Sequence, residues 1–248
     1  MLRSQDGGRT WRPAGLSGRI VKSLAASRAE PGTVYAGTKP ALVYVSRDGG
    51  ASWIELESFR RIPLRWLWFS PAEPPLTAYV QAIALSPTDP NIILAGIEFG
   101  AVVRSGDGGR TWSGHCRGAL RDCHSLTFHT SNGSWAYQGG AWFRARGGAL
   151  SRDAGKTWVS STEGVDRAYG WAVAADPGRP EVWYVSVSPG PSKAHSNGDA
   201  QAYIFRSAGA AAWERLGGGC LSLIQGCFEG CGGGPQRRFS VDGEGTDA

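Results

Sequence analysis

Six side chains of this 248-residue chain could do acid–base or nucleophilic chemistry: Glu98, Asp122, His124, Asp166, Arg167 and Tyr169. Carboxylates and imidazoles exchange protons with a substrate when their surroundings push their pKa values apart. Asp122 with His124, or Glu98 with Asp166, would form such a pair, and the chemistry would be a hydrolysis. A second set would bind rather than react: Arg121, Gln81, Trp171, Trp142, Arg144 and His195. Arginine clamps a carboxylate through paired hydrogen bonds. A mouth lined by Arg, Asp, His, Tyr and Trp suits a polar or sugar-like ligand. These residues lie far apart in the chain, so only the fold can bring them together.

The elements that would position them repeat. Four segments of sixteen residues align without gaps: KSLAASRAEPGTVYAG (22–37), QAIALSPTDPNIILAG (81–96), HSLTFHTSNGSWAYQG (124–139) and WAVAADPGRPEVWYVS (171–186). Their third positions are Leu24, Ile83, Leu126 and Val173, and their tenth positions are the turn formers Pro31, Pro90, Gly133 and Pro180. Each reads as strand, turn, strand. A third apolar run follows, such as ALVYV (41–45) or AVVR (101–104). Next comes a glycine-rich box ending in tryptophan: SQDGGRTW (4–11), SRDGGASW (46–53), SGDGGRTW (105–112) and SRDAGKTW (151–158), with a worn copy, SAGAAAW, at 207–213. Adjacent glycines supply positive φ, and the Asp and Ser/Thr side chains can bond nearby backbone N–H groups. The box is therefore expected to be a self-contained hairpin between a third and a fourth strand. Units of four antiparallel strands begin at residues 22, 81, 124 and 171. That spacing is close to the blade length of a propeller, whose twisted sheets bury their faces by stacking radially.

The boxes resemble the Asp-box, or BNR, repeat of bacterial sialidases, sortilin-type receptors and photosystem II assembly-factor propellers. The shared residues are Ser4/Asp6/Gly8/Thr10/Trp11, Ser46/Asp48/Gly50/Ser52/Trp53, Ser105/Asp107/Gly109/Thr111/Trp112 and Ser151/Asp153/Gly155/Thr157/Trp158. The likeness covers about residues 1–216 and is similar in particular to bacterial proteins labelled exo-α-sialidase or glycosyl hydrolase. It implies an all-β propeller in which Asp6, Trp11, Asp48, Trp53, Asp107, Trp112, Asp153 and Trp158 are structural and stand at the rim. The repeat starts on a hairpin and stops after Trp213. Four clear blades plus an N-terminal hairpin are thus expected over 1–219, as an incomplete, open arc; the alternative is a small ring closed by the N-terminal hairpin pairing with C-terminal strands. Residues 220–248 are expected to be a Gly/Cys-rich irregular tail, disordered, or foreign to the repeat or frame-shifted.

Blade connectivity assigns the faces. Turns between strands one and two, and between three and four, share one side; blade-to-blade loops and turns between strands two and three share the other. The two long insertions, 55–79 and 187–203, fall on this second side, where binding loops usually sit on a rigid scaffold. So do the entry residues of the innermost strands: Lys22, Gln81, His124 and Trp171 at one position, and Ile20, Tyr79, Asp122 and Tyr169 two residues earlier. Arg121, Asp166, Arg167, Glu98, Trp142 and Arg144 lie close by in sequence. The same groups would equally serve as inter-blade ion pairs.

Sialidase chemistry requires three arginines, a tyrosine nucleophile with its glutamate, and an acid. Arg61, Arg121 and Arg167 could supply the first, but no Tyr–Glu pair follows from spacing. FRRIP at 59–63 carries Arg61-Ile62-Pro63, yet it has an extra arginine and falls after the second box, so it reads as a chance match. The leading expectation is a binding or assembly scaffold for a polypeptide or carbohydrate, and the alternative is a sialidase-like glycoside hydrolase.

Composition narrows the remaining classes. Glycine is 37 of 248 residues, about twice the usual share, which suits short strands and tight turns. The net charge of +5 is scattered, so no nucleic-acid partner is expected. No apolar run reaches the ~18 residues of a membrane span, and no signal-peptide pattern opens the chain. Taken as written the chain is expected in the cytoplasm, or outside the cell if further residues precede Met1. The five cysteines form no C-x-x-C pair, and no calcium-loop spacing occurs, so neither metal nor cofactor is expected.

Overall fold

In the computed structural model the described residues are 1–71, 74–142, 147–196 and 198–216. Arg144, the tail 220–248 and its cysteines lie outside them. The chain is a β-propeller built from antiparallel sheets in chain order. A hairpin of β1 (Leu2–Arg3) and β2 (Arg12–Pro13) comes first. The first blade is β3 (Ile20–Ala26), β4 (Val34–Lys39), β5 (Val43–Ser46) and β6 (Ile54–Glu55). The second is β7 (Val80–Leu85), β8 (Ile93–Ile97) and β9 (Val102–Ser105), and the third is β10 (Asp122–Phe128), β11 (Ala136–Ala141) and β12 (Gly148–Ser151). The fourth is β13 (Tyr169–Asp176), β14 (Arg179–Ser188), β15 (Tyr203–Ala208) and β16 (Glu214–Arg215).

The second and third blades depart from the four-strand expectation. Their fourth segments follow the third strand with only scattered bonds. Ser113 and Cys116 N–H groups donate to the Arg104 and Val102 carbonyls, and Leu150 and Val159 exchange one pair. The segment 157–159 also bonds to the preceding inter-blade loop, where the Trp158 N–H donates to the Arg117 carbonyl at 2.9 Å. Sharing its bonds between two partners prevents a regular strand.

Sheets covered on both faces need apolar residues at consecutive positions. All of β8, ILAGI, is buried. Ile93, Ala95 and Ile97 face the first blade together with Val43 and Val45. Leu94 faces the third, with Leu126, Ala136, Ala149 and Trp158. The next layer packs Tyr137 and Leu150 against Trp183, Val185, Phe205 and Trp213. Where an inner strand has no blade before it, the same repeat position is open: Leu24 is 54% exposed, whereas Ile83 and Leu126 are each 7% exposed.

The last residue of each sixteen-residue unit shows why glycine recurs there. The next blade's inner strand presses directly on Gly37, Gly96 and Gly139. An added Cβ would collide with Val80 at Gly37 and with Cys123 Sγ at Gly96, and would crowd the Trp171 carbonyl at Gly139. The fourth unit ends in Ser186, whose hydroxyl instead accepts from the Ala172 N–H of its own blade at 3.1 Å.

The boxes are clasps closed by their own residues. In each of the four, the serine hydroxyl donates to the aspartate and accepts from the N–H of the second turn residue. The aspartate accepts from the N–H and the hydroxyl of the Thr or Ser four residues on. In the third box these bonds are Ser105 to Asp107 (2.8 Å), Gly109 N–H to Ser105 (2.8 Å), and Thr111 N–H and Oγ1 to Asp107 (2.9 and 2.6 Å). The second, third and fourth clasps also tie to the turn between strands one and two of their own blades, through Gly49 to Gly32, Gly108 to Asn91 and Ala154 to Ser134. Both kinds of turn therefore share one face, as the connectivity requires. The tryptophans pack differently. Trp158 is buried with its indole N–H on the Gly155 carbonyl, Trp53 reaches the Ala14 carbonyl, Trp112 meets Phe59 edge-on at 5.0 Å, and Trp11 is 59% exposed.

The insertion 55–79 is not a free binding loop. Phe59 and Ile62 are buried in the core layer between the first two blades, and the Ser58 hydroxyl donates to the Gly109 carbonyl. Ile62 of the FRRIP stretch thus serves packing. Its large apolar side chains that remain open, among the described residues, are Leu64, Trp66, Leu67, Phe69 and Leu76.

Candidate functional site

Each innermost strand slips register at its start: between Val21 and Ser23, Val80 and Ala82, Cys123 and Ser125, and Gly170 and Val173. The bulged residues include Lys22, Gln81, His124 and Trp171, the equivalent positions of the repeat. A bulge leaves one residue out of the ladder and re-aims its side chain. The repeat thus delivers one irregular side chain per blade to the loop-rich face, and the sequence chooses a different type each time.

In the third blade that side chain is His124. Its Nδ1 lies 2.6 Å from the Gly170 carbonyl, and because a carbonyl only accepts, Nδ1 holds a proton. Nε2 points at two carboxylates: Asp122 Oδ1 at 3.3 Å and Glu98 Oε2 at 3.9 Å. Both contacts are ion-pair contacts without hydrogen-bond geometry. Tyr169 and Trp171 cover the ring, at centroid distances of 4.4 and 4.9 Å. Asp122 Oδ1 accepts from the Phe99 N–H at 3.2 Å, and the Glu98 N–H donates to the Tyr79 carbonyl at 3.1 Å.

Burial governs the electrostatics. It pushes the Glu98 carboxyl up to about 7; His124 and Lys22 pull the other way, while Asp122 adds to the rise. For His124 burial opposes the charged ring, but Asp122, Glu98 and the Gly170 carbonyl outweigh it and raise its pKa. Burial, with Asp122 and Glu98 beside it, pushes the Tyr169 hydroxyl well above the ordinary phenol range, so it stays neutral.

Beside this cluster lies a cleft of about 370 Å³ walled by Phe99, Trp142, Tyr169, Pro189 and Pro191, with Asp122 at its edge. Phe99 bridges Trp142 and Phe69, its ring centroid 5.5 Å from one and 4.7 Å from the other, forming an aromatic row. Phe99 holds φ = 47°, a left-handed conformation that costs a bulky residue free energy. A larger hollow, about 570 Å³, opens on the clasp face among Thr88, His129, Asn132, Pro177 and Pro180. Its histidine is satisfied, with Nε2 3.0 Å from the Asp176 carbonyl and Nδ1 accepting from the Ser131 N–H. That leaves the smaller cleft as the one with unspent chemistry.

Of the residues singled out in the sequence, Glu98, Asp122, His124, Tyr169, Trp171 and His195 come together. His195 arrives from the 187–203 insertion on the turn after α1 (Pro191–Ala194), 5.3 Å from the Trp171 ring and 3.4 Å from the Tyr169 hydroxyl. Others stand apart. Arg121 donates to the Gly100 carbonyl, Arg167 lies over the Tyr203 ring at 4.2 Å, and Asp166 is an exposed neighbour of Arg167. Gln81 sits at its bulge, half-buried. Glu98 accordingly pairs with His124 rather than Asp166. Sequence reasoning missed Phe99, Phe69, Pro189 and Pro191; an aromatic inside a tight two-to-three turn carries no pattern that marks it. Cys116 and Cys123 are free, buried thiols whose pKa burial raises, which removes them as nucleophiles.

No family model and no curated protein matches this chain. Solved structures do. An ancestral GH74 enzyme superposes with a TM-score of 0.61 at 18% identity over 87% of this chain, and a GH74 enzyme of Niastella koreensis with 0.56 at 14% over 79%. YCF48 from Cyanidioschyzon merolae gives 0.52 at 12% over 84%. The chain spans 28%, 30% and 60% of those three chains respectively. At such identities the likeness establishes the fold, a β-propeller, and nothing about activity.

Proposed function

We propose that this chain is an Asp-box (BNR-type) propeller acting as a binding scaffold, and that it takes a glycan or polypeptide in the cleft on its loop-rich face. One observation carries the reading: three aromatic rings and two prolines wall a cleft edged by a single carboxylate, Asp122. Apolar walls with a few placed polar groups are the usual make-up of a ligand site. Rings supply area at little entropic cost, and Asp122 accepts hydrogen bonds from hydroxyl or amide donors. The test is to titrate the full chain with a panel of oligosaccharides and of proline-containing peptides. Binding by one class, weakened tenfold or more by Trp142→Ala at a temperature where the variant is folded, is expected. Binding indifferent to Trp142→Ala and Phe99→Ala would overturn the reading.

A second reading, a sialidase-like glycoside hydrolase, draws on the closeness of Glu98 and Asp122, whose oxygens lie within 4.8 Å of one another. Retaining glycosidases hold their carboxyl groups ~5–5.5 Å apart. Two features weigh against it. The neutral Tyr169 is the reverse of an activated nucleophile, and Arg121 and Arg167 are already engaged on Gly100 and Tyr203. Turnover of a fluorogenic glycoside, abolished by Asp122→Asn or Arg167→Ala, would favour the enzyme over the scaffold.

A further inference from the structure

We propose that Glu98, Asp122 and His124 form a binding site for one divalent transition-metal ion, placed under the edge of the cleft. Three ligand atoms, one imidazole nitrogen and two carboxylate oxygens, lie within 4.8 Å of one another. The side chains of His124, Glu98 and Asp122 are 0%, 9% and 10% exposed. Such a cluster alone would be ordinary. What points to a ligand is Nε2 of His124: it is fully buried, aimed between the two carboxylates, and has no hydrogen-bond partner. The Gly170 carbonyl holds a proton on Nδ1, so Nε2 is the nitrogen left to face the carboxylates, and a bound cation would take the place of any proton there. A histidine tied by its other nitrogen to a backbone carbonyl is the usual arrangement of a metal-binding imidazole.

The charges also match, because two carboxylates and a neutral imidazole balance a dication. A nitrogen ligand with two oxygens suits Mn(II), Fe(II), Co(II) or Zn(II) better than magnesium or calcium, which prefer all-oxygen sets. Bonds of ~2.0–2.2 Å need ligand atoms roughly 3 Å apart. Asp122 at 3.3 Å already complies, and Glu98 at 3.9 Å has to move in slightly. Asp122 reaches the cleft, which gives the ion a way in. Sequence spacing hides the site, since Glu98 comes from the second blade and the other two from the bulge of the third.

The experiment uses the full chain, stripped with a chelator and titrated with Mn(II), followed by electron paramagnetic resonance, and with Co(II), followed by its visible spectrum. Expected are one equivalent of Mn(II) and Co(II) d–d bands without a thiolate charge-transfer band, which separates this site from the cysteines. Glu98→Gln keeps the shape and should weaken binding at least tenfold. His124→Ala should abolish it, and His195→Ala should leave it unchanged. Absence of binding at millimolar metal would show that His124 is only an ion-pair partner and would overturn the proposal. Binding unaffected by Glu98→Gln would do the same, even if His124→Ala failed to fold. The outcome is independent of what the cleft binds, because the readout is the metal itself.

Discussion

The clasp face and the loop-rich face of this propeller are built on opposite terms. On the clasp face the bonds that close each box join residues no more than four apart, such as Ser105, Asp107, Gly109 and Thr111. The same set recurs in four boxes, and its polar groups are spent on holding turns. On the loop-rich face the bonds are long-range and unrepeated. His124 meets Gly170, 46 residues away, and Phe99 meets Asp122, 23 away. There, polar groups are buried with partners still to find. A repeated local motif solves a problem common to every blade, whereas the unrepeated constellation on the other face is where we place the function proposed for this chain.

That contrast can be broken or sharpened by substitution. The largest expected effect belongs to the frame itself. Gly96→Val drives a side chain into Cys123 at the blade junction and should cost about 3 kcal/mol by overpacking, read as a fall in denaturation midpoint. Loss of a clasp comes next. Asp153→Ala removes three hydrogen bonds from a partly buried turn and should cost about 1–2 kcal/mol, while Asp6→Ala on the exposed N-terminal hairpin should cost less.

Acid should reproduce the clasp result without mutation. The Thr111 and Ser105 bonds hold the Asp107 carboxyl at about 2, below its ordinary 3.8. Its stabilising contribution is complete above pH 3.8 and is lost as pH falls through about 2. Asp6, held at about 2 by Thr10 and Ser4, behaves alike. Stability measured from pH 5 down to 2 should therefore fall, and Asp107→Asn should flatten part of that fall. The smallest effect has the opposite sign. Ala154 occupies the left-handed turn position, at φ = 58°, that glycine holds in the other three boxes. Ala154→Gly should stabilise by roughly 0.5–1 kcal/mol.

The same contrast explains what the sequence discloses. The propeller, the position of each box hairpin, and the face on which the turns lie are legible because they rest on local chemistry repeated four times. Even the bulge positions stand out as equivalent residues, Lys22, Gln81, His124 and Trp171, before their geometry is known. The grouping of Glu98 with His124 rather than with Asp166 is not legible, because it depends on how far one blade turns relative to the next. Phe59 and Ile62 mislead for a related reason: a long insertion looks like a free loop until the core layer it fills is visible. The roles of Phe99 and Pro189 emerge only once three loops from different blades meet.

The most direct test of the account compares one substitution from each face in the same two assays, thermal unfolding and binding of the best ligand from the glycan and peptide panels. At a temperature where both proteins are folded, Trp142→Ala should weaken binding tenfold or more, and Asp107→Asn should lower Tm with binding unchanged. Binding lost in Asp107→Asn and retained in Trp142→Ala would contradict the division of labour between the two faces.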